Sequence, residues 1–253
     1  MLRRLLARPA PAPAPPAAAP DPVAATTTPE DRRIIERASP YSMTGPQRLQ
    51  ALVDAVRHCV AREVPGSFAE CGVWRGGSVL AMILTLQELG VEDRDIHLFD
   101  TFEGMTEPTE RDVSPVEAPA RETWEEAQRS DRRPWNELFD PATFNEGTVR
   151  ATLLDTGYPP ERLHLVRGPV EETVPAHAPD ALALLRLDTD WYASTRHELE
   201  HLYPVLSDGG VLIVDDYGHW EGCRRAVDEY FAGRDDPVLL ARVDYTARLA
   251  IKH

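Results

Sequence analysis

Four aspartates, arranged as two close pairs, are the side chains of this sequence best suited to chemistry. Asp188 and Asp190 follow one apolar run, and Asp215 and Asp216 follow another. If both runs are parallel strands, their carboxyl ends meet at one edge of a sheet and the four carboxylates converge. Such like charges destabilise a fold unless a cation lies among them. Oxygen ligands, with no histidine or cysteine pair at zinc spacing among these strand-end residues, favour a hard ion such as Mg²⁺.

Structural roles are the alternative for these residues. Any one aspartate could cap the helix that follows its strand, whereas the set of four favours the metal site. Three histidines also follow the strand ends. His197 and His201 lie one turn apart on a helix that should pack outside the sheet, which indicates surface positions. His219 lies nearer the edge, and its role stays open.

A glycine-rich turn after the first predicted strand forms a second group. Gly72, Gly76 and Gly77 lack the spacing of a dinucleotide site or a phosphate loop. Glu70, just before the turn, would repel a pyrophosphate but attract an α-amino group, and Asp100 at the next strand end could accept hydrogen bonds from ribose hydroxyls. An amino group, a ribose and no phosphate describe S-adenosylmethionine. Tight packing of strand against helix would also explain the glycines, so the turn alone leaves both interpretations open.

A parallel sheet is needed to bring these residues together. The order strand, glycine turn, helix and strand over residues 66–100 is one βαβ unit. Five further strands are predicted at 163–167, 181–187, 211–214, 238–244 and 246–252. The last two are joined so closely that they must pair antiparallel. The predicted fold class is α/β: a doubly wound, mostly parallel, seven-stranded sheet with a C-terminal antiparallel hairpin.

Two segments fall outside this pattern. Residues 1–39 include the run PAPAPAPPAAAPDP from Pro9 to Pro22, which offers almost nothing to bury and predicts a disordered leader. The opening MLRRLLAR has too short an apolar run for a signal peptide. The folded domain is predicted to span 40–253, with an insertion at about 105–143 that either covers the site or is a plain surface excursion.

The composition argues against several classes of protein. A net charge of -15, from 42 acidic and 27 basic residues, argues against binding to nucleic acid or to an anionic membrane surface. No apolar stretch reaches the ~18 residues of a membrane span. Three scattered cysteines cannot form a disulfide framework. These features favour a cytoplasmic protein whose partners include neither nucleic acid nor a membrane.

Taken together, the motifs resemble the macrocin O-methyltransferase family, whose members methylate sugar hydroxyls on macrolide and related antibiotics. The resemblance runs from about residue 40 to the end, with motifs at family-like spacing. They are YSMT at 41–44, ECGVWRGGS at 70–78, FDTFEGM at 99–105, DTD at 188–190, GGVLIVDDY at 209–217 and GCRRAVDEY at 222–230. The family implies a class I methyltransferase fold, S-adenosylmethionine as donor and Mg²⁺ held by carboxylates.

The resemblance also implies roles for individual residues. Asp190 becomes the candidate catalytic base, and a homo-oligomer, dimer or higher, is expected. The implied metal ligands are Asp188, Asp215 and Asp216. The implied cofactor-binding residues are Glu70, Gly72, Gly76, Ser78, Asp100 and Gly168. The sequence departs from the family pattern at about 110–140 and at the turn 168–170.

The resulting hypothesis is an S-adenosylmethionine- and Mg²⁺-dependent O-methyltransferase. Its small-molecule acceptor would be a glycoside, methylated at a vicinal diol of a sugar in a natural product such as an antibiotic. A catechol-type phenolic acceptor is an alternative, because any adjacent hydroxyl pair can chelate the metal. A catalytically silent donor-binding module is another, and a nicotinamide oxidoreductase is disfavoured by the glycine spacing.

Overall fold

The computed structural model describes residues 26–235 and 237–253. Within this part, seven strands form one sheet. In chain order they are β1 (Ser67–Cys71), β2 (Ile96–Asp100), β3 (Leu163–Arg167), β4 (Leu182–Leu187), β5 (Leu206–Val214), β6 (Ala241–Arg242) and β7 (Arg248–Ile251). The spatial order is β3-β2-β1-β4-β5-β7-β6. The first five strands run parallel, and β7 pairs antiparallel with both β5 and β6.

Helices cover both faces of the sheet. They are α1 (Pro29–Ala38), α2 (Pro46–Ala61), α3 (Gly77–Glu88), α4 (Ala120–Arg129), α5 (Glu146–Leu154), α6 (Val170–Thr173), α7 (Tyr192–His201) and α8 (Glu221–Ala232). One apolar core lies between the sheet and α1, α2, α3 and α5, and a second lies between the sheet and α6, α7 and α8. The predicted fold class, a doubly wound α/β sheet with a C-terminal hairpin, is confirmed.

The strand order determines where a ligand can bind. The chain builds outward from β1 to β2 and β3, then returns to place β4 on the other side of β1. The crevice at such a reversal is the ligand site of open α/β sheets. β4 lies at the centre of the sheet and is buried along its whole length, as parallel strands covered on both faces are. Its only charged residue is Arg186.

Helix α1 corrects the predicted start of the folded domain. The leader was expected to extend to residue 39, but Pro29–Ala38 is a helix. Thr28 accepts a hydrogen bond from the backbone N–H of Asp31, and Pro29 occupies the first turn, a favourable N-terminus. Ile34 and Ile35 are buried in the core with α2 and α3. The proline-rich run from Pro9 to Pro22 lies outside the described residues.

Two further observations bear on the predictions from composition. Within residues 26–235 and 237–253, no helix is long and apolar enough to cross a membrane. Cys59, Cys71 and Cys223 are all buried and unpaired. Burial raises the pKa of the Cys59 thiol to about 12 and that of Cys71 and Cys223 well above the usual value.

Truncating Ile35 tests whether α1 belongs to the folded domain. Ile→Ala in a core costs about 2–5 kcal/mol, so Ile35→Ala should lower the free energy of unfolding in urea by that amount. Glu36→Ala, at the exposed neighbouring position of the same helix, is the control and should change it by less than about 0.5 kcal/mol. Equal, negligible effects of both variants would show that α1 contributes nothing to the core.

Candidate active site

The carboxyl ends of the parallel strands open into a cavity of about 330 Å³, a size typical of small-molecule sites. Seven of the ten residues predicted to act in catalysis, cofactor binding or metal binding line it. They are Gly72, Asp100, Gly168, Asp188, Asp190, Asp215 and Asp216. The topology therefore brings the glycine turn and both aspartate pairs to one place, as the sequence predicted.

The insertion at about 105–143 forms part of the wall of this cavity. Met105, Glu117, Trp135, Leu138 and Phe139 all line it. Hydrogen bonds fix the insertion to the core: the indole of Trp74 donates to the carbonyl of Leu138 at 2.9 Å, and the indole of Trp191 donates to that of Thr106 at 3.0 Å. The insertion is therefore part of the cavity wall and not a plain surface excursion.

Three aspartates at the ends of β4 and β5 form the most compact acidic group of the cavity. One carboxylate oxygen from each of Asp188, Asp215 and Asp216 lies within 4.8 Å of the others. Asp215 and Asp216 are buried, and Asp188 is partly buried. Burial raises the pKa of Asp188, and the neighbouring Arg186 guanidinium partly offsets this rise. Burial and then repulsion by the neighbouring carboxyls raise the pKa of Asp216, so this group favours an added positive charge.

Arg186 is the positive charge that the sequence analysis missed. Its guanidinium lies in the middle of the carboxyls and is 1% exposed. Nη1 donates to Glu70 at 2.5 Å and to Asp188 at 2.6 Å. Nη2 donates to Asp215 at 2.7 Å and to the Thr44 hydroxyl at 2.8 Å. An arginine inside the apolar strand sequence LALLRL was the available signal, since arginine is almost never fully buried unless it is paired.

Arg48 supplies a second cation at the cavity wall. Its guanidinium forms ion pairs with Asp215 and, at 3.2 Å, with Asp244. The two oxygens of Asp215 therefore each contact an arginine, while Asp188 and Asp216 keep oxygens without an arginine partner in the part of the chain that the structure describes. Two guanidinium groups thus neutralise part of the acidic cluster, and Asp188 and Asp216 both line the cavity.

Asp190 is held in an unusual backbone conformation. Its φ is 68°, a left-handed conformation that aspartate tolerates better than most residues. Its N–H donates to the Asp216 carboxylate at 3.3 Å, and its own carboxylate accepts from the indole N–H of Trp220 at 2.7 Å. Burial, with Asp188 next, raises the pKa of Asp190. Strained positions of this kind cluster at functional sites.

The glycine turn lies against the end of β4. A Cβ atom on Gly72 would come within 2.0 Å of the Asp188 carbonyl oxygen, so only glycine fits there. The Asp100 carboxylate accepts hydrogen bonds from the backbone N–H groups of Val73, Trp74 and Phe102 at 2.6, 3.1 and 2.6 Å. Asp100 therefore organises the turn. A carboxylate has about four acceptor positions, so one remains for a ligand.

Three of the predicted cofactor-binding residues lie behind the cavity wall. Glu70 is fully buried and bound to Arg186, and its Oε2 has no partner among the described residues. Gly76 caps α3 in a left-handed conformation, and its Cβ position faces Val149 at 3.2 Å. Ser78 is buried in the first turn of α3. None of the three lines the cavity, so direct contact with a cofactor stays a prediction for them.

The histidines divide as the sequence analysis suggested. His197 and His201 both lie in α7. His197 contacts the carbonyl of Val174, and the two rings lie 4.1 Å apart, outside the cavity. His219, whose role was left open, lines the cavity.

Comparison with known proteins identifies the family of this chain. Residues 19–250 match the family model described as macrocin-O-methyltransferase (TylF). The chain belongs to this family. It is 33% identical over 208 residues to demethyldecarbamoylnovobiocin O-methyltransferase of Streptomyces niveus, which covers 82% of this chain and 74% of that protein. It is therefore a methyltransferase.

Two more members of the comparison support the family and the fold. The 8-demethyl-8-(2,3-dimethoxy-alpha-L-rhamnosyl)-tetracenomycin-C 4'-O-methyltransferase of Streptomyces olivaceus is 34% identical over 213 residues, covering 82% of this chain and 76% of that protein. The solved structure of the O-methyltransferase NovP superposes on this structure with a TM-score of 0.71. The two sequences are 32% identical, and the match covers 84% of this chain and 82% of the NovP chain.

Replacing Arg186 with methionine would leave several buried carboxyls without their shared cation. Removing one partner of a buried ion pair costs about 3–5 kcal/mol, so the free energy of unfolding of Arg186→Met in urea should fall by about that amount. Arg150→Met, which breaks a partly exposed pair with Glu146, is the control and should change it by less than about 0.5 kcal/mol. Similar small losses in both variants would contradict the central role given to Arg186.

Proposed function

We propose that this methyltransferase transfers a methyl group from S-adenosylmethionine to a sugar hydroxyl of a glycosylated small molecule, with Mg²⁺ held by Asp188, Asp215 and Asp216. The observation that carries the proposal is the position of these carboxyls. They lie at the carboxyl ends of β4 and β5, in the same cavity as the glycine turn and the predicted base Asp190. The sugar acceptor is supported by the rhamnosyl group in the name of one relative.

The donor side of the cavity fits S-adenosylmethionine. Gly72 and Gly168 allow close approach of a ligand to the backbone at the ends of β1 and β3, and Asp100 keeps capacity to accept hydrogen bonds from ribose hydroxyls. Trp135, Leu138 and Phe139 of the insertion offer an apolar surface beside these residues. When bound there, the cofactor supplies an electrophilic methyl group.

The acidic cluster fits a hard divalent cation. All three side chains offer oxygen, the ligand atom that Mg²⁺ prefers. Arg186 and Arg48 contact Glu70, Asp188 and Asp215, and a bound divalent cation would favour the ionised form of the carboxyls in this cluster. When bound, Mg²⁺ would lower the pKa of an acceptor hydroxyl. Asp215, although paired with both arginines, has further lone pairs available as an ionised carboxylate.

Asp190 is placed to remove the proton from the acceptor hydroxyl. The Trp220 indole and the backbone contact with Asp216 fix its position at the cavity wall. Its raised pKa makes it a stronger proton acceptor than an ordinary exposed aspartate. The transfer would break the sulfonium S–CH3 bond, form the O–CH3 bond of the product and leave S-adenosylhomocysteine, while the hydroxyl proton goes to Asp190 and then to solvent.

Removal of a predicted ligand tests the metal. Asp188→Asn should lose Mn²⁺ binding, measured by electron paramagnetic resonance, and also lose transfer of labelled methyl from S-adenosylmethionine to a panel of neutral glycosides. EDTA should abolish transfer by the unaltered enzyme. Asp208→Asn, at the opposite, exposed end of the sheet, is the control and should behave as the parent. Full activity of Asp188→Asn in excess EDTA would refute the metal proposal.

Replacement of the predicted base tests Asp190 separately. Asp190→Asn keeps the shape of the side chain but accepts protons poorly. We expect it to bind Mn²⁺ and S-adenosylmethionine as the parent does, while kcat falls by about 10²–10⁴-fold. An unchanged kcat would remove Asp190 from the chemistry. A phenolic panel assayed in parallel distinguishes the acceptors, because preference for catechols would favour the alternative function.

A further inference from the structure

Three hydrogen-bonded side chains line the cavity on the side opposite the proposed donor site. Nδ1 of His219 lies 2.9 Å from the Tyr245 hydroxyl, and its Nε2 lies 3.0 Å from Oε1 of Glu117. The three come from separate parts of the fold: the loop after β5, the turn between β6 and β7, and the insertion. All three line the cavity, and the steps proposed above use none of them.

The strand order assigns this row to the acceptor. The proposed donor contacts Gly72, Asp100 and Gly168 follow β1, β2 and β3, which form one half of the sheet. The predicted metal ligands follow β4 and β5, at the centre. An acceptor whose hydroxyl reaches the carboxyls from the free side must therefore extend over β5 and β7, where His219 and Tyr245 lie.

The row is also connected to the predicted base. The His219 ring lies edge-on to the ring of Trp220, with centroids 5.1 Å apart. The Trp220 indole in turn donates to Asp190. His219 is thus connected to the predicted base through a single aromatic side chain.

The hydrogen-bonding capacity of the row specifies the chemistry of its ligand. A carboxylate only accepts, so Nε2 of His219 carries the proton shared with Glu117. In the neutral ring, Nδ1 then accepts the proton of the Tyr245 hydroxyl. Oε2 of Glu117 has no hydrogen-bond partner among the described residues. The atoms left to contact a ligand are therefore hydrogen-bond acceptors. They require a ligand that donates a hydrogen bond, such as a sugar hydroxyl.

Exposure separates the roles within the row. The His219 side chain is only 16% exposed, whereas that of Glu117 is 49% exposed and Tyr245 is 59% exposed. The two outer residues can contact a ligand, and both nitrogens of the inner one are already engaged. This arrangement is that of one positioning residue with two contact residues.

We propose that Glu117 and Tyr245 recognise hydroxyls of the acceptor sugar other than the one methylated, and that His219 is the positioning residue that holds both. The inference rests on the proposed function, because it takes the acceptor to be a polyhydroxylated sugar. A diphosphate group would meet a carboxylate and acceptor atoms here, so the row selects a neutral glycoside over a nucleotide-activated sugar.

The test compares Glu117→Gln, Tyr245→Phe and His219→Phe with the parent on the neutral glycoside that the parent methylates fastest. At saturating S-adenosylmethionine, the first two should raise the acceptor KM by about 3- to 10-fold, the loss of one hydrogen bond, with kcat within about 2-fold. His219→Phe should raise KM more than either. His219→Gln, which can still donate to Glu117, should recover part of the loss. The dissociation constant of S-adenosylmethionine, measured by calorimetry, should stay unchanged in all four.

A hydroxyl-deletion series identifies the contact itself. Each deoxy analogue of the same glycoside should bind the parent more weakly than the glycoside itself does. The analogue that lacks the hydroxyl contacted by Glu117 should bind Glu117→Gln no more weakly than it binds the parent. Tyr192→Phe, which removes a hydroxyl bonded to Glu229 outside the cavity, is the matched control and should leave KM unchanged. An unchanged KM in Glu117→Gln and Tyr245→Phe, with or without a lower Tm, would make the row a structural link and overturn the inference.

Failure of the proposed function has a different signature. If the parent methylates no glycoside, or prefers catechols, the proposed sugar acceptor is wrong and this inference falls with it. If the parent methylates a glycoside but prefers the nucleotide-activated form of the same sugar, the proposed function stands and the selection assigned to this row is wrong.

Discussion

A single buried guanidinium is the constraint on which the site depends. Arg186 joins the ends of β1, β4 and β5 by contacting Glu70, Asp188 and Asp215. Burying charge is costly unless every partner is in place, so the carboxyls at these strand ends are held in one arrangement around it. The ion pairs of Arg186 that hold these strand ends together also orient two of the proposed metal ligands. A catalytic site needs preorganisation of this kind.

The strand order separates the proposed donor residues from the proposed acceptor residues. The half formed by β1, β2 and β3 carries the glycine turn and Asp100, which suit a methyl donor. The half formed by β5 and β7 carries His219 and Tyr245, which together with Glu117 of the insertion form the row that we propose for a hydroxylated acceptor. The carboxyls at the ends of β4 and β5 line the same cavity, and we propose that transfer occurs there. The insertion contributes part of the cavity wall.

Local patterns predicted most of the fold, and long-range pairing explains what they missed. The glycine turn, the apolar strands and the aspartates at their ends are each readable from neighbouring residues. The ion pair of Glu70 was missed because its partner Arg186 lies 116 residues away. Helix α1 was missed because the proline-rich run before it obscured the capping signal of Thr28 and Pro29. The insertion contains the amphipathic helix α4, but no local pattern relates the residues on either side of this helix to the distant strand ends, so only the structure shows that they line the cavity.

A crystal structure with Mn²⁺ and S-adenosylhomocysteine, in which the anomalous signal locates the metal, tests the proposed site most directly. We predict one strong peak coordinated by Asp188, Asp215 and Asp216, with the nucleoside beside Gly72 and Asp100 and with Arg186 still bound to Glu70. An ordered nucleoside with no anomalous peak at these three carboxyls, or with a peak only elsewhere, would contradict it.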